Sequence, residues 1–82
     1  MTQPEPHTLL DERGSRCPLP IIALSKALAG LPAASFVEII ADDPAAEVDI
    51  PAWCRLKGAH LVDSFAAQDG HGGVHYVVQL PG

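Results

Sequence analysis

The apolar positions follow a helical spacing in one part of the chain. Between residues 21 and 31 they recur at intervals of three, four and three, which is typical of one face of an α-helix; they are Ile21, Leu24, Leu28 and Leu31. Two prolines lie just before this stripe, and proline is favoured in the first helical turn. We therefore predict a helix with Pro18 at its first position and Cys17 as its N-cap. Gly30 and Pro32 predict its end.

Four short apolar runs predict β-strands. The β-branched and aromatic run at 35–41 is the clearest, and weaker runs lie at 8–10, 60–66 and 74–80. A glycine-rich segment at 68–73 separates the last two runs. It predicts a hairpin turn between them.

A second helix is predicted between residues 43 and 58, with an interruption. Asp43 followed by Pro44 indicates an acidic N-cap and a proline at the first helical position. Pro51 breaks the pattern, so we expect a short turn, a kink, and a helix over 52–57. Gly58 is a natural stop after it.

The predicted element order is β-α-β-α-β-β. In 82 residues this order favours an α/β fold: a two-layer sandwich with a four-stranded mixed sheet and both helices on one face. The length allows one domain. We place it at residues 7–82, after a flexible N-terminal tail at residues 1–6.

Composition and charge exclude several classes of protein. With 48% hydrophobic and 18% charged residues the chain is too apolar to be disordered. Its net charge of −5 argues against direct nucleic-acid binding and against a polybasic membrane anchor. It has no apolar run of about 20 residues and no signal-peptide pattern, and two cysteines are too few for a disulfide scaffold. We therefore expect a soluble cytoplasmic protein with reduced thiols.

Cys17 is the strongest candidate for chemistry. The N-terminal end of a helix favours an anion, and it lowers the pKa of a cysteine thiol placed there. Arg13 and Arg16 are close in sequence and would strengthen this effect, and Gly14 gives the preceding loop its backbone freedom. The alternative is that Cys17 is a small buried apolar side chain without chemistry.

Three segments together resemble the TusA (SirA-like) sulfur-carrier family. They are DERGSRCPLP at 11–20, which contains the Cys-Pro-x-Pro signature, IADDPA at 40–45 and DIPAWC at 49–54. The resemblance extends from about residue 7 to residue 80. It departs from the family pattern at Ser15, where leucine is common, and at residues 33–35, where a Gly-Glu turn is replaced.

The resemblance implies a sulfur relay through Cys17. This cysteine would accept sulfane sulfur from a cysteine desulfurase or a rhodanese-like donor, hold it as a persulfide, and pass it to an acceptor protein. Pro18, Pro20 and Gly14 would support its backbone, and Arg13 and Arg16 would tune its pKa or contact a partner. Transfer RNA thiolation, molybdenum-cofactor maturation, sulfur oxidation and selenium handling are all compatible destinations. The relay needs no cofactor and no metal, and we expect a monomer.

The other candidate residues have simpler interpretations. Cys54 is expected to be a buried structural thiol beside Trp53 and Leu56, which are predicted to face the core. The carboxylates of residues 42, 43 and 49 are expected to cap helices rather than to form an acid–base or metal site. Histidines 71 and 75 flank the predicted hairpin and are expected at the surface without a metal.

Three other functions remain open at this point. The chain could be a regulatory or protein-binding module without sulfur chemistry. It could be an RNA- or ribosome-binding domain, because the same sandwich resembles the C-terminal domain of a bacterial translation initiation factor, although the net charge of −5 counts against this. It could also be a thiol-redox protein that uses Cys17 and Cys54, if their Cα atoms lie within about 7 Å.

Overall fold

The computed structural model describes residues 7–82. The elements are β1 (His7–Asp11), α1 (Leu19–Gly30), β2 (Phe36–Ala41), α2 (Ala46–Lys57), β3 (His60–Ala66) and β4 (Val74–Gln79). The predicted order β-α-β-α-β-β is confirmed. Residues 1–6, the predicted tail, lie outside the described residues, so the domain boundary stays a prediction.

The four strands form one mixed sheet in the order β1-β2-β4-β3. β1 pairs with β2 in parallel, while β4 is antiparallel to both β2 and β3. Parallel neighbours need a crossover connection, which α1 supplies. The hairpin predicted from the glycine-rich segment joins β3 to β4, and the pairing of β3 shifts register between Leu61 and Asp63.

The core lies on one face of the sheet, under both helices. Side chains alternate between the two faces of a strand, and in β2 the helix-facing set of Val37, Ile39 and Ala41 is at most 2% exposed. The largest fully buried side chains of the other elements are Leu24 and Ile50 in the helices and Val78 in β4. The predicted two-layer sandwich is therefore confirmed.

Helix α1 has the predicted apolar stripe but begins one residue later than expected. Leu24 is fully buried, and the other three stripe residues pack against the core. The N-cap is Pro18, not Cys17. The amide of Leu19 donates to the carbonyl of Arg16 at 2.8 Å, which closes a separate turn before the helix. The first helical bond then runs from the Ile22 amide to the Pro18 carbonyl at 2.9 Å.

Helix α2 is continuous across Pro51, contrary to the predicted interruption. A proline inside a helix removes one backbone hydrogen bond, and packing of the buried face outweighs that loss here, since Ile50 and Trp53 are at most 5% exposed. The N-cap is Ala45 rather than Asp43, and Gly58 ends the helix at φ 74°. Trp53 faces the core as predicted, but Leu56 is 78% exposed, so its predicted core position is wrong.

A polar contact joins the two helices inside this layer. The indole Nε1–H of Trp53 donates to the hydroxyl oxygen of Ser25 at 3.1 Å. A tryptophan buried this deeply needs a partner for its N–H group. Ser25 provides it without an additional buried charge.

The core contacts predict how stability depends on two leucines. Leu24→Ala should lower the free energy of unfolding by about 2–5 kcal/mol, because it leaves a cavity under α1. Leu56→Ala makes the same chemical change at an exposed helical position and should cost no more than about 0.5 kcal/mol. Urea denaturation followed by circular dichroism measures both values. Similar losses in the two variants would contradict the assigned core.

Candidate active site around Cys17

Cys17 lies in the loop that connects β1 to α1, beyond the ends of the two parallel strands. The amide of Glu12 donates to the carbonyl of Ile40 at 2.8 Å, so the loop leaves the sheet beside the end of β2. The amide of Ser15 then donates to the Glu12 carbonyl at 3.0 Å and closes a turn. Gly14 has φ 87° in this turn, a conformation that glycine adopts without strain.

Two aspartates that follow β2 hold this loop. The carboxylate of Asp42 accepts the Gly14 amide at 3.0 and 3.1 Å. Asp43 binds two segments at once: Oδ2 accepts the Cys17 amide at 2.9 Å, and Oδ1 accepts the Ala45 amide at 2.9 Å. These two backbone hydrogen bonds lower the pKa of Asp43. The predicted capping role is therefore wrong for Asp42, whose printed contacts are with the cysteine loop, and incomplete for Asp43, which binds the turn before α2 and the cysteine loop together.

The environment of the Cys17 thiol keeps it protonated. The residue is half-buried and packs against the core. Burial of the thiol, a hydrogen bond with the Asp49 side chain and the negative charges of Asp49 and Asp43 together raise the pKa of Cys17 to about 11, with burial the largest cause. The predicted lowering of this pKa is wrong. Cys17 precedes the N-cap of α1, and the charges that shift its pKa are carboxylates.

Arg13 binds two aspartates, neither of which contacts Cys17. Its guanidinium contacts the Asp11 carboxylate at 2.7 Å and the Asp69 carboxylate at 2.9 Å. These contacts hold the pKa of Asp11 at about 2 and raise that of Arg13. The guanidinium thus ties the end of β1 to the β3–β4 loop, and it is not among the groups that shift the pKa of Cys17. The expected tuning by Arg13 is wrong.

Arg16 acts on the site only through a carboxylate. Its side chain is exposed, and its positive charge helps to lower the pKa of Asp43. It therefore does not lower the pKa of the thiol directly. A role for Arg13 or Arg16 in contacting a partner stays a prediction.

Cys54 and His75 have environments of their own. Cys54 is 3% exposed within the core, burial raises its pKa, and both cysteines are free thiols. His75 is not the simple surface residue that we expected, because Nδ1 contacts the Glu38 carboxylate and its ring stacks on Phe65 with centroids 4.7 Å apart.

Residues 7–82 carry neither a metal-binding cluster nor a membrane-spanning helix. No group of three or more histidine, cysteine or acidic side chains in this range could hold a metal ion. No helix in the same range is long and apolar enough to cross a membrane.

The hydrogen bonds from the cysteine loop to Asp42 and Asp43 were not predicted from the sequence, although the positions of the two aspartates after a strand could have indicated them. Asp42 and Asp43 directly follow a strand that is parallel to β1, and parallel strands end at the same edge of a sheet. This placement brings both carboxylates to the cysteine loop. Asp49 reaches the thiol from the first turn of α2, and no local pattern indicates that contact.

The carboxylates around the thiol predict its reactivity. Asp49→Asn removes a negative charge and a hydrogen-bonding carboxylate, so the pKa of Cys17 should fall from about 11 towards the ordinary value of about 8.5. Burial, the largest cause of the shift, is unchanged, so the pKa should stay above that ordinary value. Alkylation of Cys17 by iodoacetamide at mildly alkaline pH should nevertheless become faster, because the thiolate is the reacting form. The pH dependence of the rate, resolved by peptide mass spectrometry, measures the shift. Asp63→Asn on the opposite edge strand is the control, and equal profiles for the two variants would contradict the assigned contact.

Comparisons with known proteins agree with this fold. The crystal structure of a SirA-like protein from Desulfitobacterium hafniense superposes on this chain with a TM-score of 0.72 at 22% identity. The superposition covers 92% of this chain and 99% of the SirA-like chain. A similarity at this identity shows the shared fold.

Sequence comparisons identify the family. The family profile described as "Sulfurtransferase TusA" matches residues 8–79. A protein named sulfur carrier protein TusA from Pseudomonas putida is 36% identical over 62 residues, which are 76% of this chain and 78% of the relative. A putative sulfur carrier protein of Neisseria meningitidis serogroup A is 41% identical over 61 residues, 74% of this chain and 81% of the relative. The chain therefore belongs to the TusA sulfurtransferase family.

Proposed function

We propose that this protein is a sulfur carrier that accepts sulfane sulfur on Cys17 as a persulfide and passes it to an acceptor protein. The observation that carries the proposal is the position of Cys17 in a chain of this family. The cysteine lies in a loop fixed by two aspartates, and it is only half-buried, so another protein can reach its sulfur. Relatives that are named sulfur carriers support the same role.

The proposed transfer consists of two thiol–disulfide-type exchanges. In the first, the Cys17 thiolate attacks the outer sulfur of a donor cysteine persulfide. A new S–S bond forms, the old one breaks, and the donor cysteine leaves as a thiolate. In the second, an acceptor thiolate attacks the outer sulfur on Cys17, and Cys17 leaves with the electron pair. Each exchange balances without an external oxidant or reductant.

The raised pKa of Cys17 affects the two exchanges differently. Loading requires removal of the thiol proton, because the thiolate is the attacking form. Unloading requires Cys17 to leave, and a thiol with a high pKa leaves slowly. The raised pKa therefore limits the thiolate available for loading and slows the departure of Cys17 during unloading.

The donor and acceptor are proposed by chemistry. A cysteine desulfurase or a rhodanese-like protein provides the persulfide that the first exchange requires. The net charge of −5 and the exposed carboxylate of Asp42 favour partners that present a basic surface, because complementary charge accelerates association. Transfer RNA thiolation, molybdenum-cofactor maturation, sulfur oxidation and selenium handling remain the candidate destinations.

Intact-mass measurement tests the carrier role. The purified protein is incubated with an active cysteine desulfurase and cysteine, and its mass is recorded with and without reductant. We expect a gain of one sulfur atom that reductant removes. Cys17→Ser should abolish the gain, whereas Cys54→Ser should retain it because that thiol is 3% exposed and inaccessible.

The other outcomes reject the proposal in distinct ways. A gain that persists in Cys17→Ser and disappears in Cys54→Ser would assign the sulfur chemistry to Cys54 and reject Cys17 as the carrier residue. No gain with either a cysteine desulfurase or a loaded rhodanese would identify the chain as a protein-binding module of the same fold. Circular dichroism of each variant confirms that the comparison is made between folded proteins.

A further inference from the structure

A mostly apolar groove lies between α1 and the edge strand β1. It encloses about 510 Å³ and runs along both elements. Its principal lining residues are Leu10, Leu19, Ile22, Lys26, Ala27 and Leu31. Leu19 and Ile22 are 51% and 42% exposed there, so α1 presents apolar side chains beyond the four-stranded sheet.

β1 is open to pairing in a way that the other edge strand is not. The sheet ends at β1 on one side and at β3 on the other. β3 carries an irregularity between Leu61 and Asp63 and an exposed acidic residue, and both features discourage further pairing. β1 pairs with β2 in continuous register over His7–Asp11, and Leu9 is 57% exposed. A fifth strand beside β1 would therefore place alternate side chains in the groove.

The charges of the groove indicate which segment fits it. Lys26 is exposed at the groove and forms no ion pair with a carboxylate of residues 7–82. Glu12 lies at the end of the groove next to the Cys17 loop. A segment with apolar side chains and a central acidic side chain would complement Lys26.

A second copy of this chain fits the groove less well. A two-fold pairing of β1 with β1 would place the symmetry axis near Leu9, the middle residue of the strand. Lys26 lines the groove of each copy, so a second copy brings another lysine rather than the acidic side chain that would complement it. Each copy also carries a net charge of −5, and like charges oppose association.

We propose that β1 binds an extended segment of the partner protein as a fifth strand, with alternate apolar side chains in the groove and an acidic side chain against Lys26. The identification of the partner as the protein that exchanges sulfur with Cys17 rests on the function proposed above. Strand addition supplies affinity through main-chain hydrogen bonds and specificity through alternate side chains. Glu12 and Leu19 line the groove and flank the cysteine loop in the chain, so one end of the bound segment would lie near that loop.

A short synthetic peptide tests the surface directly. The peptide acetyl-Val-Thr-Glu-Thr-Val-amide has a valine, the glutamate and the second valine on one side when extended. It is titrated to millimolar concentration into the ¹⁵N-labelled protein while amide resonances are recorded. We expect saturable shifts in residues 8–11 and in α1, and smaller shifts elsewhere. Binding in α2 or on the outer face of the sheet, or no binding, would overturn the proposal.

Charge-reversal substitutions test whether Lys26 contacts the acidic side chain of the peptide. Lys26→Glu should weaken binding of the glutamate peptide by about threefold to tenfold, as expected for an exposed charge pair that becomes repulsive. It should improve binding of a second peptide, acetyl-Val-Thr-Lys-Thr-Val-amide, in which lysine replaces the glutamate. Lys57→Glu makes the same change in net charge at the end of α2 and should leave both affinities unchanged. Equal effects of the two substitutions would overturn the assigned contact.

Further measurements test the apolar contact, a second copy as the occupant, and independence from the sulfur chemistry. Ile22→Gln should weaken peptide binding several-fold, while Leu56→Gln, the same kind of change on the other helix, should not. Shifts of residues 8–11 that depend on protein concentration without peptide would identify a second copy as the occupant and overturn the proposal. Cys17→Ser should bind the peptide normally, so a failed sulfur transfer and a failed docking surface are distinguishable.

Discussion

The carboxylate of Asp43 makes the contact on which the geometry of the site depends. One oxygen accepts the amide of Cys17, and the other accepts the amide of Ala45 at the turn that leads into α2. The cysteine loop is therefore attached to the second crossover rather than only to its own helix. A buried or half-buried backbone amide that loses its acceptor costs about 1–3 kcal/mol, so the loop has a strong preference for this arrangement. Asp42 adds a parallel contact to Gly14.

The fold could be read from the sequence because its signals are local. The spacing of Ile21, Leu24 and Leu28 specifies one helical face, and the run of Phe36–Ala41 specifies a strand, before any partner is known. Element boundaries were less certain because proline stops a helix in one context and is accommodated in another. Pro51 illustrates this point, since burial of the surrounding face of α2 maintains a continuous helix.

The chemistry of the site could be read only in part. Cys17 was predicted as the reactive residue from its position before a helix, but the direction of its pKa shift was predicted wrongly. That direction depends first on burial of the thiol and then on Asp49, which is 32 positions away along the chain. Asp11 and Asp69 both bind the guanidinium of Arg13 at the same time. Nearness in sequence gave the wrong partner because a stronger one lies close in space.

The outer face of the sheet limits how this fold can be enlarged. Glu38 and His75 form a contact on that face, each side chain is 18% exposed, and Phe65 covers the imidazole. A third layer packed there would remove the remaining water from ionisable groups, which is costly unless every polar atom finds a new partner. Fusion to another domain or growth into a larger assembly is therefore better accommodated along the rim of the sandwich than against its uncovered side. The Glu38–His75 pair thus disfavours the packing of a third layer on the outer face of the sheet.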